Sequence, residues 1–273
     1  MASTLLYSEY SMPALVTILD SPTLSTKDLS IGIGGHLIAT CDDLKLERGK
    51  VLALVGKNGS GKSTFLRTLG GILKPISGEI SFDGKPQKDV KIEKIAAWLS
   101  QEEHLEFSWS VREYVSLGRI AQNSGINFTG ADEEAVDEAI ENTDCQELSA
   151  RFVHELSGGE RQRVRVARAL AQQTPLILMD EPTTHLDIEH QIQILWLIDK
   201  LAKQGKSIIV SLHDVVQAKT IGTQFLLFNN CKASISNELN KELLEQTLGV
   251  KFEQFDNGDF AGLLFPNFCR TTG

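Results

Sequence analysis

A glycine-rich stretch that follows an apolar run has the residue types of a phosphate-binding loop. Residues 56–64 fit the spacing G-x-x-x-x-G-K-[ST], in which glycines let successive backbone N–H groups turn toward one phosphate. The ammonium group of Lys62 can reach the β- and γ-phosphates, and the hydroxyl of Ser63 can ligate Mg²⁺. The sequence therefore predicts a nucleotide phosphate site formed by Gly56, Lys57, Asn58, Gly59, Ser60, Gly61, Lys62, Ser63 and Thr64.

Two adjacent carboxylates, Asp180 and Glu181, end a second apolar run. Successive side chains of a strand point in opposite directions, so we expect the two carboxylates to have different tasks. One can support Mg²⁺, and the other can orient a water molecule at the γ-phosphate. His213 follows a third apolar run and would lie at the same strand-end edge, where ligands collect in open α/β sheets. Acids that merely end a strand in solvent and a structural histidine are the plainer alternatives.

The segment Leu156-Ser157-Gly158-Gly159-Glu160 combines a helix start with two glycines. Ser157 and Glu160 have the S-x-x-E spacing of a capping box, and the arginines that follow would equally suit a solvated helix face. Glycine in a first helical turn costs stability, and backbone N–H groups left bare for an anion would explain that cost. The pattern thus indicates a second helix start that binds an anion.

The elements that position these residues follow from the periodicity of the apolar side chains. Short apolar runs at 51–55, 176–181 and 207–212 predict buried parallel strands, and residues 23–50 predict two or three antiparallel strands. Residues 111–119 and 132–142 have helical spacing, with Asp132 as a candidate N-cap. We therefore expect an α/β fold with a parallel core sheet, an N-terminal antiparallel β subdomain and an inserted α-helical subdomain.

Two further helices are predicted after the second carboxylate run. One lies near 238–248. The other covers 188–204 and is amphipathic, and the residues expected to face inward are Ile188, Ile192, Leu195, Trp196 and Leu201.

Composition narrows the class of protein. The chain has 273 residues and a formal net charge of −9, whereas nucleic-acid-binding domains are more often basic. Its four cysteines form no C-x-x-C pair, so neither a zinc site nor a disulfide framework is indicated. No apolar run is long enough to cross a bilayer, and the charged start of a signal peptide is absent. A function at a membrane would therefore need membrane segments from another subunit.

The ordered set of motifs resembles that of the ATP-binding subunits of ABC transporters. The matching segments are Gly56–Thr64 (Walker A), Gln101 (Q-loop), Leu156–Glu160 (signature), Leu176–Glu181 (Walker B), Thr184–Asp187 (D-loop) and His213 (switch histidine). Segments 110–119, 169–172 and 180–191 look like those of importers of iron–siderophore, haem and cobalamin complexes. Zinc and manganese importers share part of this pattern.

The resemblance implies a RecA-like core and a division of the chain into a tail (1–22), an ATPase domain (23–230) and a C-terminal segment (231–273). The helical subdomain would cover about 102–172. It further implies a head-to-tail homodimer that is bound to membrane permease subunits at the cytoplasmic face of the inner or plasma membrane. A substrate-binding protein would act on the complex indirectly, and no nucleic acid is involved.

The resemblance also implies a role for each motif residue. Lys62 would hold the phosphates of ATP, Glu181 would polarise the attacking water, and His213 would contact the γ-phosphate. Gln101 would sense that phosphate and would join Mg²⁺ through an oxygen, so the predicted metal ligands are Ser63, Gln101 and Asp180. In the dimer each ATP would also meet four residues of the partner chain: Ser157, Gly158, Gly159 and Asp187.

One departure concerns the nucleobase. Family members carry an aromatic residue ahead of Walker A that stacks on adenine, whereas the aligned residue here is Ile33. Aromatic–base stacking contributes about 1–3 kcal/mol, so we expect weak ATP binding and poor discrimination between ATP and GTP. Tyr7 or Tyr10 is the alternative stacking residue. Lys57 stands where many relatives have proline, a change expected to be neutral.

Other classes remain open at this stage. Soluble ABC ATPases that act as assembly or regulatory factors share the same motifs, and a phosphate-loop kinase would need no signature segment. The discriminating stretch is 102–119, which would meet a membrane subunit. There, Arg112 and Glu113 lie beside four apolar residues that would either grip a partner helix or pack inside the subdomain: Val111, Tyr114, Val115 and Leu117.

Overall fold

The structure is a computed structural model that describes residues 23–101, 108–122, 128–255 and 263–266. Predictions for the tail 1–22, including Tyr7 and Tyr10, and for residues 102–107 lie outside these ranges. The strands are β1 (Leu24–Ile33), β2 (His36–Cys41), β3 (Leu44–Leu46), β4 (Val51–Gly56), β5 (Ser77–Phe82), β6 (Lys85–Pro86), β7 (Ala96–Leu99), β8 (Leu176–Asp180), β9 (Ser207–Ser211), β10 (Gln224–Asn229), β11 (Lys232–Ser236), β12 (Phe252–Phe255) and β13 (Leu263–Pro266). The α-helices are α1 (Lys62–Leu69), α2 (Val111–Ser116), α3 (Gly130–Asn142), α4 (Gly158–Ala171), α5 (Ile188–Lys203), α6 (Val215–Ile221) and α7 (Lys241–Leu248).

One mixed sheet joins most of these strands, in the order β6-β5-β1-β2-β11-β10-β4-β9-β8-β7, with β3 alongside β1. Strands β10, β4, β9, β8 and β7 are parallel, whereas β1 is antiparallel to β2, β3 and β5. The predicted α/β class, with a parallel core and an N-terminal antiparallel part, is confirmed. Strand β11 was not predicted, and it connects the two parts by pairing with both β10 and β2.

The central strands are buried on both faces. Every residue of β4, β8 and β9 is buried, as expected for parallel strands covered by helices or by a second layer on each side. Alternate residues of β4 enter two different cores: Val51, Ala53 and Val55 in one, Leu52 and Leu54 in the other. Because parallel strands end at the same edge of a sheet, β4, β8 and β9 bring their following residues together.

The helical block between β7 and β8 decides between the two alternatives for three of its apolar residues. Val111, Tyr114 and Val115 of α2 are fully buried against α3 and α4, so they do not form a surface that grips a partner helix. Packing inside the subdomain, the alternative, is correct for these residues. Arg112 and Glu113 remain exposed on α2.

The N-cap of α3 lies three residues before the predicted one, Asp132. Thr129 occupies the N-cap position, and Asp132 lies at the third helical residue, where Oδ2 accepts hydrogen bonds from the Thr129 N–H and hydroxyl at 2.9 and 2.6 Å. The other oxygen of Asp132 pairs with Arg119 Nε at 2.8 Å in the interior. Arg119 also donates to the Ala171 carbonyl at the end of α4, at 2.6 Å. Asp132 therefore ties three segments of the subdomain together.

The inward face of α5 was predicted wrongly for three residues. Ile188, Ile192 and Trp196 are 75%, 41% and 70% exposed, whereas the buried face consists of Ile194, Leu195, Leu197, Ile198, Leu201 and Ala202. The helix carries two apolar stripes at helical spacing, and spacing alone cannot identify the stripe that packs on the sheet. The predicted helix near 238–248 corresponds to α7. Among the described residues, no helix combines the length and the apolar character that crossing a bilayer requires.

Candidate nucleotide site

The loop between β4 and α1 is held in shape by its lysine. The Lys62 side chain is only 4% exposed, and its Nζ donates to the carbonyls of Gly56 and Lys57 at 2.8 and 3.1 Å. Burial lowers the pKa of Lys62, while the nearby charges of Glu181 and Asp180 act in the opposite direction. Gly61 has φ +113°, and a β-carbon there would lie 2.7 Å from Ile38 Cγ2, so the loop needs glycine at this position.

Asp180, the last residue of β8, contacts the start of α1. Its Oδ1 accepts hydrogen bonds from Ser63 Oγ at 3.1 Å and from Ser211 Oγ at 2.7 Å, and its side chain is buried. A hydroxyl and a carboxylate oxygen side by side are ligands that suit Mg²⁺, which usually takes one or two carboxylates together with substrate phosphates. Within the described ranges, no cluster of three or more His, Cys, Asp or Glu residues has a metal-binding arrangement.

Glu181 is the point at which the other polar residues of the site converge. Its Oε2 lies 2.7 Å from Gln101 Nε2 and 2.6 Å from His213 Nε2, and Thr184 Oγ1 donates to it at 3.3 Å. Glu181 follows the end of β8 with φ +51°, and its N–H donates to Ser211 Oγ at 2.9 Å. Asp180 and Glu181 thus have different surroundings, as expected. Because Glu181 lies beyond the end of β8 and has a left-handed backbone, the alternation of side chains along a strand does not apply to it.

These residues share one cavity of about 340 Å³. Its lining joins the phosphate loop to Glu181 and to two of the residues around the Glu181 carboxylate, Gln101 and His213; the loop residues are Asn58, Gly59, Gly61, Lys62, Ser63 and Thr64. The predicted partner-facing residues, Ser157, Gly158, Gly159 and Asp187, are not part of this lining. A single chain therefore brings together the phosphate loop, the carboxylates, Gln101 and His213, but not the signature segment.

The signature segment begins α4 with the predicted capping box. Ser157 Oγ accepts from the Glu160 N–H at 3.3 Å, and Glu160 Oε2 accepts from the Ser157 N–H at 2.8 Å. The hydrogen bond from the Ser157 N–H is the largest of the effects that hold the pKa of Glu160 below its usual range. Ser157 and Gly158 are exposed, so this helix start can be reached by another molecule.

His190 is a residue of this region that sequence reasoning missed. Asp187 caps α5 by accepting from the His190 N–H at 2.9 Å, and its Oδ1 lies 2.7 Å from His190 Nδ1. The imidazole ring packs on the signature segment, since a β-carbon on Gly159 would lie 1.8 Å from His190 Cδ2. The D-loop and the signature thus contact each other within one chain. The sequence offered no signal for this contact, because Gly159 and His190 are far apart in the chain and His190 lies in none of the motifs.

Ile33 lies at the end of β1 and is 49% exposed, opposite His36 in the β1–β2 pair. It does not line the phosphate cavity. Ile38, which the sequence analysis did not single out, lies against the phosphate loop at Gly61. Ile38 is therefore next to the phosphate loop, and Ile33 is exposed in the β1–β2 hairpin. Both side chains could contact a flat apolar group.

The sequence profile that describes ABC transporters matches residues 41–184, slightly more than half of the chain. The chain belongs to the ABC transporter family. It is accordingly an ATPase that uses a nucleotide, and a phosphate-loop kinase is ruled out.

Individual proteins and solved structures that resemble this chain give more detail than the family profile. The iron(3+)-hydroxamate import ATP-binding protein FhuC of Bacillus subtilis (strain 168) is 40% identical over 201 residues, which is 72% of this chain and 75% of that protein. A solved structure described as an inward-facing metal-chelate type ABC transporter has a TM-score of 0.79 and 28% identity, covering 91% of this chain and 99% of that one. The dimeric cassette MJ0796 with ADP and phosphate has a TM-score of 0.68 and 25% identity, covering 80% and 99%.

The contact between Gly159 and His190 predicts that the two signature glycines differ in their tolerance of alanine. Gly159→Ala should lower the free energy of unfolding by about 1–3 kcal/mol, as overpacking does. Gly158→Ala is the matched control, since its β-carbon would be 3.6 Å from Leu186 Cδ2, an ordinary contact. Urea unfolding measures both values.

A second substitution checks whether the His190 ring causes the loss of stability. His190→Ala in the Gly159→Ala background removes the clashing ring and should recover most of the lost stability. Equal stability of the Gly158→Ala and Gly159→Ala proteins would contradict the described packing.

Proposed function

We propose that this chain is the ATP-hydrolysing subunit of an importer for iron chelates, such as siderophores and haem, or for cobalamin. The observation that carries the proposal is the complete set of phosphate loop, Glu181, Gln101 and His213 around one cavity, in a chain whose relatives include an iron(3+)-hydroxamate import subunit. Separate membrane permease subunits would carry the substrate, and a substrate-binding protein would deliver it. The chain would be peripheral, at the cytoplasmic face of the membrane.

The phosphates of ATP would bind residues Gly56–Thr64, with the Lys62 ammonium exchanging its carbonyl partners for β- and γ-phosphate oxygens. When bound, Mg²⁺ would neutralise phosphate charge. Ser63 and Asp180 would hold it, and the Gln101 amide oxygen would be a third ligand once the amide turns away from Glu181.

Hydrolysis would depend on the release of the Glu181 carboxylate from Gln101 and His213. Gln101 and His213 both lie within hydrogen-bond distance of the same carboxylate oxygen, so that oxygen is occupied. A γ-phosphate in the cavity would offer both side chains a stronger acceptor and would free Glu181 Oε2 to take a proton from the attacking water. The arrival of ATP and the activation of the base would thereby be coupled.

The adenine would contact aliphatic side chains in place of an aromatic ring. Ile38 lies beside Gly61, and Ile33 is exposed at the neighbouring hairpin, so both are available to cover one face of the base. Affinity would then rest mainly on the phosphates, which all nucleoside triphosphates share.

The second half of each ATP site would come from a partner chain. The exposed capping-box helix start at Ser157 and Gly158 has the free N–H groups and the dipole that bind an anion, yet it does not line the cavity of its own chain. A head-to-tail homodimer satisfies both observations, with Asp187 at the same surface. The relative MJ0796 is itself described as a dimer.

Mixed dimers test this composite site. Lys62→Ala removes the phosphate contact of one half-site, and Ser157→Arg blocks the other half-site. In a heterodimer of the two variants, one composite site carries both changes and the other carries neither, so ATPase activity should reappear on mixing. Differently tagged chains prove that heterodimers form. If they form and no mixture exceeds either variant alone, the composite site is wrong.

Uptake by cells tests the transported substrate. A chromosomal Lys62→Ala substitution should abolish uptake of an iron–siderophore, haem or cobalamin, with exposed Lys85→Ala as the matched control. Loss of zinc or manganese uptake instead would favour that group of importers. Unchanged uptake of every substrate would support a soluble ABC ATPase with an assembly or regulatory role.

A further inference from the structure

The side chain of Lys57 reaches from the phosphate loop to the C-terminal end of α7. A β-carbon built on Gly249, the residue that follows α7, would lie 2.8 Å from Lys57 Nζ and 3.5 Å from its Cε. Gly249 has the left-handed φ of +66° typical of a helix C-cap, and its N–H donates to the Glu245 carbonyl at 2.9 Å. The ammonium group thus lies beside the last turn of a regular helix.

The position of this helix end is fixed by packing. Leu244 and Thr247 of α7 are buried, and Asn229 Nδ2 donates to the Gln246 carbonyl at 2.9 Å. Asn229 ends β10, whose Phe228 is paired with Gly56 at the start of the phosphate loop. The loop and the end of α7 are therefore attached to the same edge of the sheet.

The electrostatic consequence follows from the helix dipole. The C-terminal end of a helix carries a partial negative charge of roughly half an electron, and the last turn of α7 contains no basic residue. An uncompensated negative end beside the phosphate loop would repel the phosphates that the loop binds. Lys57 supplies the missing cation, and its carbonyl accepts from Lys62 Nζ at 3.1 Å.

We propose that Lys57 is a positioning residue that neutralises the end of α7 and holds it against the phosphate loop. The C-terminal segment thereby supports ATP binding without touching ATP. This inference rests on the proposed placement of the phosphates at residues 56–64. The sequence places Lys57 among the phosphate-loop residues and predicts that lysine in place of proline is neutral there, whereas the contact with α7 gives its side chain a role of its own.

Substitution of Lys57 gives the first measurement. Lys57→Met keeps the length of the side chain and removes the charge, and the resulting loss in ATP affinity should be about two- to five-fold. Lys57→Arg keeps the charge and should bind ATP like the wild type. In steady-state ATPase assays, KM should rise for Lys57→Met while kcat stays unchanged, because the interaction is the same in ground and transition states.

A cation added to α7 itself distinguishes neutralisation of the helix end from a direct contact between Lys57 and ATP. Gln246→Lys places a cation on an exposed position in the last turn of α7, and in the Lys57→Met background it should restore the affinity. Asn237→Lys is the matched control, because it adds the same charge at an exposed position beyond the β10–β11 pair, near the start of β10.

Three results would overturn the proposal: wild-type affinity of Lys57→Met, a defect that Gln246→Lys leaves unchanged, and a defect that Asn237→Lys repairs equally well. Failure of the proposed ATP site would look different, since neither the wild type nor any of these variants would then bind ATP.

Discussion

The parallel pairing of β4, β9 and β8 is the constraint on which the site depends. Ser211 in β9 is paired with Leu54 of β4 on one side and with Asp180 of β8 on the other, so β8 and β9 end at one level and β4 continues two residues further to Gly56. The Ser211 hydroxyl then binds Asp180 and receives the N–H of Glu181. Because these strands are buried on both faces, a shift in their register would displace a full layer of each core. The positions of the two carboxylates relative to the phosphate loop are therefore set by core packing.

Two parts of the chain carry different parts of the candidate site. The strand ends carry the groups that we propose to act on the phosphates, whereas the signature helix α4 begins in the helical block, with Ser157 and Gly158 exposed to solvent. The contact of His190 with Gly159 links this exposed turn to the D-loop, which directly follows the Walker B strand. The short segment from Glu181 to His190 therefore joins the carboxylate to the start of α4.

Much of this fold could be predicted from the sequence, because its signals are local. Residues 56–64 specify a phosphate loop by spacing alone, and the capping box of Ser157 and Glu160 is a contact across three residues. The predictions that failed concern which apolar residues become buried, because the spacing of residues along the chain does not determine this. Both stripes of α5 are apolar, and only the sheet selects the one that becomes buried. Val111 and Tyr114 could be assigned to the interior only once the packing of α3 and α4 was known, and the Gly159–His190 and Lys57–α7 contacts join residues that are distant in sequence.

Turnover by Glu181→Gln tests the central claim most directly, that one carboxylate shared by Gln101 and His213 is the base for hydrolysis. A carboxamide cannot accept the proton, so ATP should still bind while kcat falls about 10²- to 10⁴-fold and an ATP-bound dimer accumulates. Glu189→Gln, an exposed glutamate of α5, should leave turnover unchanged. Near-normal hydrolysis by Glu181→Gln, with ATP binding intact, would contradict the account.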